Sequence, residues 1–264
     1  PAVGGFIVGP LIYFFAREAR GHGVPEVMKA VALHGGVIRA RIVGVKALAS
    51  AVSIGTGGSV GREGPAIHLG ASLAGWIGRR LHLTRSLTRT LLGCGVAAAV
   101  AASFNAPIAG ALFASEVVIG HYALKAFAPI VIASVAGTAV SRAFFGDFPA
   151  FALAQTPLAS FWEFPAFVGL GIAAGLSAII FMHAIFTAQR LAEQTPLPSW
   201  LRPAAAGLMV GLIGLVFPEV MGVGYGLTEN ALMVNIPLAL LLALAAAKIA
   251  ATAVSIGWGF SGGV

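Results

Sequence analysis

The sequence predicts an all-α, polytopic membrane fold in which several helices are broken or span only part of the bilayer. Three observations predict it. Hydrophobic residues make up 58% of the chain and charged residues 9%, with a mean hydropathy of +0.94, against about 25% charged in an ordinary soluble domain. Apolar runs recur between short basic clusters such as Arg79-Arg80, Arg85 and Arg89, the pattern of a chain threading a membrane. Glycine and proline interrupt several of those runs, and a bilayer tolerates broken helices only where they are enclosed by protein or line a cavity.

The 264 residues leave room for several spans of about 20 residues each. The net charge of +7, from 16 Lys+Arg against 9 Asp+Glu, is explained by topology. No basic stripe with interleaved aromatics marks a nucleic-acid surface, so no nucleic-acid partner is expected. Cys94 is the single cysteine, which excludes an internal disulfide and a cysteine metal cluster; it is read as packing in a helix of small residues. His34, His68, His82, His121 and His183 lack ligand spacing, so neither a metal nor another cofactor is expected.

In chain order, residues 2–16 read as a span ending at Arg17-Glu18-Ala19-Arg20. Gly21-His22-Gly23-Val24-Pro25-Glu26 is a glycine turn followed by proline and an acid, which are helix-start signals. That helix runs to about Leu33. Residues 42–54 are helical, 55–61 are mostly Gly and Ser, and Pro65 opens a helix that ends near Gly78. Residues 91–120 are dense in small residues that let membrane helices approach closely. Further spans are predicted at 126–146, 165–188, 203–217 and 232–256. The best internal boundary is Gly146–Phe164, with Asp147, Pro149 and Pro157; Gln189–Arg202 is a second.

One charge stands out. Glu63 is the only carboxylate between Arg41 and Arg79, in a glycine-rich break at apparent membrane depth, where an ionisable group is costly and marks function by default. Comparing the halves of the chain adds to this. Lys46–Gly61 reads KALASAVSIGTGGSVG and Lys248–Gly263 reads KIAATAVSIGWGFSGG, identical at ten of sixteen positions at an offset of 202. Gly21–Glu26 aligns with Gly224–Glu229 at an offset of 203. The chain is therefore expected to hold two copies of one unit, each with a broken helix, which points to a transporter or channel site. Helix starts at Val24-Pro25, at Gly64-Pro65 and just beyond Gly263 would present unpaired N–H groups and partial positive charge, a site for an anion. Nothing resembles a cation filter.

At these residues the sequence resembles the CLC family of chloride channels and chloride/proton antiporters. Gly21-His22-Gly23-Val24-Pro25-Glu26 looks like the family's G-S-G-I-P-E, Gly61-Arg62-Glu63-Gly64-Pro65 matches G-R-E-G-P, and Gly263-Val264 looks like the start of G-x-F-x-P. Residues 104–116, FNAPIAGALFASE, also resemble the family segment. The resemblance implies an inverted-repeat CLC membrane domain over 1–264, with 1–145 as most of the first repeat and 146–264 as an incomplete second repeat. It implies a homodimer with one pore per subunit, a multi-pass protein of the bacterial inner membrane. The chain opens on Pro1 without Met or signal peptide and stops in mid-motif at Gly263-Val264, so it is expected to be cut at both ends. It would lack the first helices and the pore-lining tyrosine that follows the third motif.

By the same resemblance Glu63 is the gating glutamate, whose carboxylate competes with chloride for the outer site and swings away when protonated. Gly61, Arg62, Gly64 and Pro65 shape its turn; Gly21, His22, Gly23, Val24 and Pro25, with Gly263 and Val264, complete the anion-binding set. The alternative is a structural Glu63 paired with Arg62. His22 replaces the family's usual serine. An imidazole can donate to an anion, or it can face away and leave binding to backbone N–H groups. Val117 follows Glu116 where antiporters often carry the inner proton-relay glutamate. Valine cannot carry a proton, which favours passive conduction over proton-coupled exchange. No enzyme is expected. The one enzymatic competitor is an intramembrane serine hydrolase, from Gly57-Gly58-Ser59-Val60-Gly61 as a nucleophile elbow with Ser59 paired to His68; Ser261 at the repeat position argues instead for a structural serine.

Overall fold

A computed structural model describes the chain except residues 20, 34, 37, 121–123, 149–150, 152–159 and 235; His34, His121, Pro149 and Pro157 therefore lie outside the described residues. The described residues are helical, with two isolated β-bridges. Helix α1 (Ala2–Pro10) continues as a π-helical turn (Leu11–Phe15), and a 3₁₀ turn (Arg17–Ala19) leads to α2 (Val24–Leu33), α3 (Ala40–Gly55) and α4 (Glu63–Arg80). Next come α5 (Arg85–Phe104), α6 (Pro107–Phe113) with a π-helical extension (Ala114–Ile119), and α7 (Leu124–Phe145). The second half contains α8 (Glu163–Gln194), α9 (Arg202–Val216), a 3₁₀ turn (Pro218–Val220), α10 (Tyr225–Met233) and α11 (Leu238–Gly257).

Among the described residues, four helices are long and apolar enough to cross a membrane: α5, the Ala126–Phe145 part of α7, α8 and α11. The apolar stretches Ala2–Phe15, Pro107–Ile119 and Arg202–Val216 are shorter, as the sequence leads one to expect of partly spanning segments. Two boundaries differ from expectation. The Arg85–Arg89 cluster is the start of α5, not a connection, because Thr84 caps it by accepting the Leu87 N–H at 3.4 Å and arginine is a good helix former. Likewise α8 runs on to Gln194, helped by a Gln189–Glu193 hydrogen bond of 3.1 Å one turn apart.

Helix α5 forms the centre of the first half. Its Leu92, Val96, Ala97 and Val100 pack with Ile67 and Ala71 of α4, Ala111 of α6 and Ile130 of α7. The crossing with α4 is glycine on glycine: a Cβ on Gly95 would lie 2.8 Å from the Ala74 Cβ and as close to the Gly70 carbonyl carbon.

Residues 46–61 and 248–263 repeat each other about a local two-fold, and reciprocal contacts reveal it. Ser50 Oγ lies 3.1 Å from Ser261 Oγ, and Thr252 Oγ1 lies 3.0 Å from Ser59 Oγ. With residues 50 and 59 equivalent to 252 and 261, these are the same contact made twice with the copies exchanged, the signature of an isologous interface. On the axis itself Gly61 and Gly263 pair with each other: Gly61 N–H donates to the Gly263 carbonyl at 2.9 Å and Gly263 N–H returns a bond of 2.6 Å. Either side of this pair, bulk in one copy faces glycine in the other. The Phe260 ring sits 3.3 Å from where a Gly58 Cβ would be, and Val60 fills the space beside Gly262. The ends of α3 and α11 are duplicated as well: Gly58 N–H bonds Ser53 O at 2.8 Å and Phe260 N–H bonds Ser255 O at 2.9 Å.

Upstream of these turns the register is 201, not 203. The 3₁₀ turns begin at Arg17 and Pro218, the short helices at Val24 and Tyr225, and the left-handed glycines are Gly21 and Gly23 against Gly222 and Gly224. The G-x-G-x-G run at Gly222, Gly224 and Gly226 allows either alignment by letter; only the first two adopt positive φ. The counterpart of His22 is thus Val223, and that of Val24 is Tyr225.

We expect Gly95→Val to destabilise the protein by about 1–3 kcal/mol through overpacking, while Gly44→Ala inside α3, where nothing lies within 4 Å, does not lower the melting temperature in detergent and raises it slightly through helix propensity.

Candidate functional site

Three helix starts, α2, α4 and α10, open on one cavity of about 620 Å³. His22 and Val24 reach it from α2, Gly61, Glu63 and Gly64 from α4, and Val223 and Tyr225 from α10, with Val264 beside them. Phe104, Phe113, Phe151 and Phe181 supply apolar wall. First-turn N–H groups lack intrahelical partners and carry the positive end of the helix dipole. Their convergence on one apolar-walled space makes it attractive to an anion.

The sequence expected the third start beyond Gly263; within the chain it is Tyr225 of α10 that completes the set. The remaining candidate residues stand behind the cavity. Gly263 pairs with Gly61 across the axis, as described above. Pro65 is buried in the first turn of α4, Pro25 lies second in α2, and Arg62 is the N-cap of α4. Gly64 has to be glycine because a Cβ there would collide with the His22 carbonyl oxygen and come within 3.1 Å of the Gly263 Cα. Val117 is elsewhere: it lines a separate cavity with Lys29, Ser86 and Arg89.

Glu63 is the first residue of α4, with its side chain 20% exposed. The Tyr225 hydroxyl donates a hydrogen bond to Glu63 Oε1. Arg62 Nε is 3.9 Å from the same oxygen but is half exposed, so that pair contributes little. The guanidinium has other engagements: it lies 5.0 Å from the Tyr225 ring centroid and Nη2 donates to the Ser103 carbonyl at 3.3 Å. A structural Arg62–Glu63 pair is therefore a poor account of Glu63. Tyr225 is the residue that reading the sequence missed. Pairing Gly222-Val223-Gly224 with Gly21-His22-Gly23 would have drawn attention to it as the first residue of the second short helix.

Two lysines, Lys46 fully buried and Lys248 partly so, hold the loops that shape the cavity. Lys46, fully buried, donates to the carbonyls of Ala19, at 2.9 Å, and Gly21. Lys248 does the same in the second copy, to Val220 at 3.0 Å and Gly222 at 2.8 Å. Each ammonium ties the end of a 3₁₀ turn to the glycine loop before a short helix. A buried ammonium is costly unless its donors are used, and these loop carbonyls use them.

The hydrolase alternative fails on geometry. Ser59 is buried and hydrogen-bonded to Thr252, while His68 Nδ1 lies 3.5 Å from Ser72 Oγ. Ser59 and Ser261 are instead matched structural serines of the two copies.

Residues 4–264 match the family described as Voltage gated chloride channel. The chain belongs to that family. Among curated relatives it is similar to a ClcB-like protein of Ralstonia nicotianae, 33% identical over all of this chain and 62% of that one. It is also similar to the chloride channel protein CLC-f of Arabidopsis thaliana, at 32% over all of this chain and 35% of that one. The voltage-gated ClC-type chloride channel ClcB of Citrobacter koseri is 30% identical over all of this chain and 64% of its own length. The chain thus spans between about one third and two thirds of these relatives. In fold it resembles the crystal structure of a CLC-type fluoride/proton antiporter, with a TM-score of 0.85 and 24% identity over 99% of this chain and 66% of that one. A slow cyanobacterial Cl⁻/H⁺ antiporter gives a TM-score of 0.87 and 23% identity over 99% of this chain and 62% of that one.

Replacing Lys46 by Met is expected to cost about 1–3 kcal/mol, because the Gly21 carbonyl loses its donor while Ala19 keeps Ser261 Oγ at 3.2 Å, read as a lower melting temperature in detergent. Lys248→Met should act in the same direction.

Proposed function

We propose that the protein moves chloride across the membrane along the cavity where α2, α4 and α10 begin, with Glu63 as the gate. The observation that carries this reading is the Glu63 carboxylate itself, seated where three helix N-termini converge. The carboxylate reaches into the same space that the unpaired first-turn N–H groups make attractive to an anion, so the two compete for one place. His22, Val24, Gly61, Gly64 and Val264 line the path beside it. Gly21, Gly23, Pro25, Arg62, Pro65 and Gly263 shape the turns. The names of the three curated relatives, each of which contains the words chloride channel, support chloride as the anion.

Passive conduction is the favoured mode, because Val117 offers no titratable group at the inner relay position. Proton-coupled exchange by the same fold is the second reading, supported by a titratable Glu63 at the gate. The chain is read as one membrane domain over 1–264, with 1–145 holding most of the first copy and 146–264 part of the second. It is read as working as a homodimer in the bacterial inner membrane.

In liposomes containing the full-length protein, Glu63→Gln is expected to raise chloride efflux several-fold at neutral pH and to flatten its dependence on pH; unchanged flux and pH dependence would count against Glu63 as the gate. The reversal potential in crossed chloride and pH gradients should follow the chloride gradient alone if conduction is passive, and shift with pH if protons are exchanged.

A further inference from the structure

We propose that Tyr225 is the latch that holds the Glu63 gate shut. The inference rests on the reading of Glu63 as gate and adds a positioning residue from the opposite copy. Tyr225 opens α10, and its hydroxyl donates to Glu63 Oε1 across the local two-fold. The other carboxylate oxygen rests against Gly61, where a Cβ would stand 2.5 Å from Oε2. The carboxylate is therefore held on two sides, by a backbone with no side chain and by a phenol.

The phenol is itself fixed. Phe151 meets its ring edge to face at 5.6 Å between centroids, and the Arg62 guanidinium covers it at 5.0 Å. A donor held in place loses little freedom on bonding, and a hydrogen bond to an ionised oxygen is about twice as strong as a neutral one. The bond favours the seated carboxylate over one that has swung out. The first copy has no equivalent device, because the counterpart of Tyr225 is Val24. The two copies thus divide the work: one supplies the gate and the other what holds it.

The test is Tyr225→Phe in the full-length protein, which keeps the ring for Phe151 and Arg62 and removes only the donor. Chloride efflux from liposomes and apparent chloride affinity by calorimetry are measured in the wild-type and Glu63→Ala backgrounds. Loss of one hydrogen bond to a charged group shifts the latch equilibrium by roughly tenfold or more. With Glu63 present, efflux and apparent affinity should both rise by up to that factor, since the anion competes with a less firmly held carboxylate; with Ala at position 63 the same change should have no effect. An unchanged Tyr225→Phe protein in which Glu63→Ala still alters flux overturns the latch and leaves the gate standing. An equal shift in both backgrounds also overturns it, because Tyr225 would then act without Glu63. If Glu63→Ala itself changes nothing, the gate reading fails and the latch with it.

Discussion

Two hydrogen bonds between Gly61 and Gly263 set the geometry on which the cavity depends. They lie on the local two-fold that relates the copies, so each glycine is its own partner's equivalent. Backbones meet this closely only where no side chain intervenes, and the neighbouring positions accommodate the meeting by opposing bulk to glycine, Phe260 to Gly58 and Val60 to Gly262. The start of α4 follows directly from this pair. Glu63 is two residues from Gly61, so the axis positions the carboxylate.

Around the pair, four hydroxyls are satisfied across the copies, while each lysine serves its own copy. Ser50, Ser59, Thr252 and Ser261 form two exchanged hydroxyl contacts in a buried layer. Lys46 and Lys248 take four loop carbonyls between them. A buried ammonium does not by itself favour stability, because desolvation offsets much of what its bonds return. Its value here is positional. It holds a glycine loop, and so a helix start, at the edge of a space suited to a negative ion, and it leaves its own positive charge near by.

Much of this could be read in the sequence. The K-x-x-A-x-A-V-S-I-G repeat identified the lysines, the serines and the turns as equivalents, and their contacts follow that register. The glycine loop upstream could not be registered by letters, because Gly222, Gly224 and Gly226 offer two alignments and the backbone selects one by its φ angles. Arg85 and Arg89 resembled a connection because basic residues cluster between spans, yet a capping threonine starts a helix there. Ser59 fitted an elbow motif that a glycine-rich chain produces cheaply, and its burial against Thr252 removes it from chemistry.

By itself the sequence determined that this is a helical membrane chain with two copies of a broken unit and a solitary carboxylate at one break. Composition, periodicity and internal identity are local or linear properties, and they survive without knowing which helices touch. The partners of that carboxylate were decided only by the tertiary structure. Tyr225 lies 162 residues from Glu63 in the chain, and a two-fold between copies, invisible to any local pattern, brings its hydroxyl to the gate.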